Sequence, residues 1–116
     1  MCQMDTHPVR VAKRRIPVYK VFDTSTKGAI CTPFFRCSIS KVVGSSRPDE
    51  FDRDRGYHAF FNQRIAESYE LTFNFEPIPT VVVRLYIPKG ARYARGTTES
   101  SVGPLKSVRT ETLSEV

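Results

Sequence analysis

Lys89, Arg92, Tyr93 and Arg95 carry the most concentrated chemistry in this chain, within Ile-Pro-Lys-Gly-Ala-Arg-Tyr-Ala-Arg-Gly from Ile87 to Gly96. Cations at this density suit phosphates or carboxylates, and a tyrosine among them can stack on a ring. Gly90 and Gly96 free the backbone for close approach. The plainer reading is a turn whose flanks are kept soluble by charge. His58 is the second candidate, in Gly-Tyr-His-Ala-Phe-Phe from Gly56 to Phe61. Histidine titrates near neutral pH and can act as acid, base or donor to a ligand, with aromatic neighbours walling a small pocket. Its plainer role is structural, with both ring nitrogens satisfied by backbone groups.

Other constellations point less far. Ser38-Ile39-Ser40 would put two hydroxyls on one side of a strand, where they could hold an amide or a phosphate. Asp49, Glu50, Asp52 and Asp54 crowd one loop. An EF-hand reading started at Asp49 puts Asp54 and Phe60 where glycine and glutamate are required, so that motif fails. Arg47, Arg53 and Arg55 neutralise the same loop. The three cysteines, Cys2, Cys31 and Cys37, form no Cys-x-x-Cys pair, and the two histidines, His7 and His58, lie far apart. Neither a disulfide framework nor a zinc site is expected. No Walker A loop, dinucleotide fingerprint or nucleophile elbow is present.

These residues need a scaffold, and 116 residues provide one domain. Hydrophobic residues at 40% and charged residues at 26% are ordinary for a globular chain. No apolar run approaches the ~18 residues that span a bilayer, and no signal peptide is read, so a cytoplasmic protein is expected. The net charge of +6 is uneven. Arg10, Lys13, Arg14, Arg15 and Lys20 load the first twenty residues against Asp5 alone. Arg84, Lys89, Arg92, Arg95, Lys106 and Arg109 load residues 81–109 against Glu99 alone. Basic ends attract acidic partners.

Residues 1–15 read as a flexible basic arm and residues 16–116 as the domain. Val18–Phe22 alternates as a strand, with Pro17 fitting an edge or a strand start. Residues 29–43 read as extended, broken by Pro33. Residues 44–56 read as a polar, charge-dense loop suited to mobility, with Phe51 its one apolar residue. Residues 57–61 suit a short strand or a helix approach. Asn62 is a suitable N-cap for a helix over Gln63–Leu71. Thr80–Ile87 is the strongest strand signal, dense in valine and aromatic residues. It is expected to form a hairpin with Ala91–Arg95 across Pro88-Lys89-Gly90, holding the cations out to solvent. Leu105–Leu113 reads as a partly solvated last strand. The sum is an α+β fold, a five- or six-stranded mainly antiparallel sheet with one helix.

Tyr19-Lys20, Gly56–Phe60 and the Ile-Pro-Lys-Gly-Ala turn together resemble a set of small proteins from gut bacteria and their mobile elements. The likeness runs from Val18 to Gly96 and implies a shared domain unit without assigning an activity. A second resemblance is to mono-ADP-ribosyltransferases, through Tyr19-Lys20, Ser38-Ile39-Ser40 and Glu111. It implies an enzyme using NAD, with Lys20 and Ser38 holding the dinucleotide and Glu111 stabilising an oxocarbenium-like ribose. The chain departs from that pattern at each piece: lysine for arginine, isoleucine for the middle threonine, and Arg109-Thr110-Glu111 for the usual acidic pair. Lysine lacks arginine's planar fork for phosphate.

The leading expectation is therefore a binding module without cofactor or metal. Lys89, Arg92, Tyr93, Arg95 and His58 are its expected contact residues, helped by the arm at Lys13–Arg15. The partner would be nucleic acid, an acidic protein or a phosphorylated ligand, and a membrane is not expected. Edge strands at Pro17 and Pro79 leave the oligomeric state open.

Overall fold

Alternation of apolar residues along the strands builds two packed antiparallel layers. The computed structural model describes residues 3–4, 7–24, 42–43, 46, 48, 51, 56–69, 72–73 and 76–115. In chain order the elements are β1 (Gln3–Met4), β2 (Arg10–Val11), β3 (Ile16–Asp23), β4 (Tyr57–Ala59) and α1 (Gln63–Ser68). They continue with β5 (Thr72–Phe73), β6 (Glu76–Pro77), β7 (Thr80–Ile87), β8 (Arg92–Thr98) and β9 (Leu105–Thr110). The fold is α+β.

The larger sheet has the order β1–β8–β9–β4, with β2 also pairing along β8, and every ladder in it is antiparallel. β3 and β7 form a separate long ladder, from Ile16↔Ile87 to Asp23↔Thr80. Isolated bridges Tyr19↔Phe60 and Tyr86↔Ser114 stitch this ladder to segments that follow β4 and β9. β5 and β6 make a small hairpin.

The register of β3 on β7 gives each strand two faces. Val18 and Phe22 with Leu85 and Ile87 point inward and meet Tyr57, Ala59, Tyr93 and Val108 of the larger sheet. Val21 points outward and packs with Phe60, Ala66 and Tyr69, placing α1 on the opposite side. Phe22, Phe60, Leu85 and Ile87 are among the largest fully buried side chains. Truncating any of them to alanine costs about 2–5 kcal/mol.

Several expectations hold. Thr80–Ile87 is a strand over that span. Asn62 caps α1 through its side-chain Oδ1, which accepts from the backbone N–H groups of Arg64 and Ile65 at 2.8 and 3.3 Å. α1 ends at Ser68, short of the expected Leu71, because Tyr69 turns to extended backbone.

Others are corrected. β7 and β8 do not form a hairpin: β7 pairs with β3, and β8 with β9, β2 and β1. The Pro88–Gly90 turn carries the chain from one layer to the other. Gly90, at φ 90°, donates its N–H to the Ala12 carbonyl at 2.8 Å. The Ala12 N–H donates in turn to Ala91 O at 2.9 Å, so residue 12 holds the turn open and fixes which strand lies beside β8.

Within the segment read as a basic arm, residues 7–12 run beside β8. His7 N–H donates to Arg95 O at 2.8 Å, Arg10 and Val11 pair with Tyr93 and Arg92, and Ala12 is buried. The last strand, expected to be partly solvated, is so only at its start: β9 lies between β8 and β4 with Lys106 exposed and its final four residues buried. Val42 and Val43 have helical backbone in place of extended, and Phe51 is fully buried although its neighbours in sequence are polar.

Candidate functional site: a basic groove at the sheet corner

Both faces of β3 and β8 are engaged in packing over most of their length, so the corners between layers are where charged side chains reach water. Two such corners lie together. One joins β2 to β3 through Ala12–Arg15, and the other joins β7 to β8 through Pro88–Ala91, tied by the Gly90–Ala12 hydrogen bond.

Beside the first corner opens a groove of about 920 Å³. Its cations are Arg10, Lys13, Arg14, Arg15 and Arg95, and its apolar wall is made by Val11, Ile16 and Pro17, with Tyr93 also lining it. Lys13, Arg14 and Arg15 are exposed on the bend, while Arg10 and Arg95 reach in from β2 and β8. No described carboxylate forms an ion pair with any of the five. Val9 and Val11, 50% and 56% exposed, leave apolar surface on the same edge.

The residues expected at the basic turn separate. Tyr93 is only 8% exposed and packs in the core, so its ring is no open stacking platform. The Arg92 side chain turns onto Glu111. Its Nε and Nη2 donate to Glu111 Oε2 at 3.0 and 2.9 Å, and its backbone N–H donates to Oε1 at 3.0 Å. That pair satisfies both oxygens of Glu111 with one arginine. Lys89 stays exposed, outside the groove lining. Arg95 is exposed, enters the groove and lies 5.0 Å from the Phe61 ring centre.

His58 lies inward of the surface. Burial, then the positive charges of Lys20 and Arg109, hold its pKa at about 4, against a weak upward pull from a hydrogen bond to the Gly56 backbone. Its Nε2 has no hydrogen-bond partner among the described residues. The ring is therefore neutral at physiological pH.

Lys20, 4% exposed, donates from Nζ to the His58 carbonyl at 2.7 Å. Arg109, 3% exposed, donates to Phe51 O at 3.0 Å and sits 4.6 Å from that ring's centre. Lys20 and Glu111, expected together in a dinucleotide cleft, are each tied to a structural neighbour, and Ser38 lies outside the described residues, as do Cys2, Cys31 and Cys37. Among the described residues no group of three or more His, Cys, Asp or Glu could hold a metal ion. Nor is any described helix long and apolar enough to cross a membrane.

Sequence reasoning found Lys13–Arg15 and Arg95 but not that β2 seats them around one opening, nor that Arg10 joins them. The signal for that lies in backbone pairing, which side-chain spacing does not record. No family model, curated protein or solved structure matches this chain.

Proposed function

We propose that the protein is a binding module for an anionic polymer, with the corner groove as its contact surface. The observation that carries this reading is the convergence of Arg10, Lys13, Arg14, Arg15 and Arg95 on one opening, with no described carboxylate paired to them. Like charges crowded on a corner repel one another, and a ligand that neutralises them releases that repulsion together with its own counterions. Four of the five are arginines, whose planar forks suit phosphate better than a lysine's point charge. The cytoplasm is the setting that suits this reading, since phosphate polymers abound there.

A catalytic reading through Lys20 and Glu111 gains no comparable support, because burial and ion pairing already account for both side chains.

Retention on a heparin column tests the proposal. The wild-type chain should elute late, and Lys13→Glu with Arg14→Glu should elute at clearly lower salt. Lys89→Glu, off the groove, should shift elution less than either groove change. Early elution of the wild type, or an unchanged position for the double variant, would remove the groove from consideration.

A further inference from the structure

We infer that the anionic polymer is a single-stranded nucleic acid, read through its bases as well as its phosphates; this rests on the groove assignment above. The groove does not end at its cations. Arg15 and Pro17 line it; Pro17 also lies on the outward face of the β3–β7 ladder, and Arg15, just before β3, reaches Tyr86 on that face. There Pro17 pairs with Tyr86, and Tyr19 with Arg84.

Tyr86 is half-buried, and the Arg15 guanidinium lies 4.2 Å from its ring centre, with Arg84 on the same ring at 5.4 Å. The result is a layered platform of guanidinium on tyrosine, contiguous with a phosphate-binding groove. A guanidinium seated over a ring offers a plane to a ligand, and unpaired bases stack on such planes.

The rival occupants use only half of this surface. An acidic protein segment supplies charge but no flat ring. A duplex supplies phosphates, yet its base faces are hidden in its own stack. A single strand can lay phosphates along Arg10, Lys13, Arg14 and Arg95 and turn a base onto Arg15 and Tyr86.

Fluorescence anisotropy with a labelled mixed-sequence strand of about 12 nucleotides tests this, set against an abasic strand of equal length, a duplex and polyglutamate. The base-bearing strand should bind roughly tenfold tighter than the abasic one. Arg15→Lys keeps the charge and removes the plane, so it should erase most of that advantage while weakening abasic binding far less. Tyr86→Ala should do the same, and Tyr86→Phe should not. Arg14→Glu should weaken both strands together.

Equal affinity for base-bearing and abasic strands, tighter binding of duplex or polyglutamate, or an inert Arg15→Lys would overturn the inference while leaving an anion-binding groove in place. Failure to bind any of the four probes, with early elution from heparin, would instead defeat the groove assignment itself.

Discussion

His58 shows how burial decides what a titratable residue can do. Its folded pKa near 4 lies below the ordinary 6.5, chiefly through desolvation and then through Lys20 and Arg109. As pH falls, the unfolded chain takes up the proton first. This contribution is therefore complete above about pH 6.5 and is lost between there and about pH 4, up to roughly 3 kcal/mol. Urea midpoints measured across that window should fall for the wild type and fall less for His58→Asn; identical profiles would contradict the assignment. Tyr93 makes the companion case. Because its ring packs in the core, Tyr93→Ala should cost about 3 kcal/mol of stability, whereas Tyr93→Phe should leave both stability and anion binding nearly unchanged. A selective loss of binding in Tyr93→Phe would restore the tyrosine to the contact surface. The sequence exposed the chemical identity of both residues but not their direction. Spacing puts Arg92, Tyr93 and Arg95 in one basic run, and only the pairing of β8 with β2 and β9 separates an ion pair, a core ring and an exposed cation.

At the scale of elements, local signals were legible and pairings were not. The valine-rich run of β7 and the Asn62 cap are written in residues adjacent in the chain, and both stand. The partner of β7 is set instead by Ala12, which bonds to Gly90 and Ala91 from nearly eighty residues away, and no hydropathy pattern reports that. The buried Phe51 was hidden for a similar reason, since a single apolar residue in a charged stretch has no period. Gly56 is the element-level position most open to test. It enters β4 at φ 140°, and a Cβ there would meet Thr110 O at 2.7 Å and the Phe51 ring at 3.3 Å. Gly56→Ala should therefore destabilise the fold by about 1–3 kcal/mol, read as a lowered thermal midpoint. Gly90→Ala, with nothing within 4 Å of its Cβ, should cost less because only the backbone conformation is strained. Equal midpoints for the two variants would mean that the contact of Gly56 with Thr110 is not tight in solution.

At the scale of the whole molecule, the two layers bury their inner faces against each other and α1 covers the outer face of β3 near Val21. Charge excess is left to the corner where the chain changes layers. A net charge of +6 was legible from composition, and its gathering into one groove was not, because Arg10 and Arg95 are brought together across β2 and β8. The salt dependence of binding to a single-stranded oligonucleotide tests that gathering most directly. If Arg10, Lys13, Arg14 and Arg95 each meet a phosphate, log K should fall against log salt with a slope of about −3. Lys13→Ala with Arg14→Ala should flatten that slope by about 1.4 while the far-UV circular dichroism stays unchanged. A slope near zero for the wild type, or the same slope in the double variant, would contradict the account.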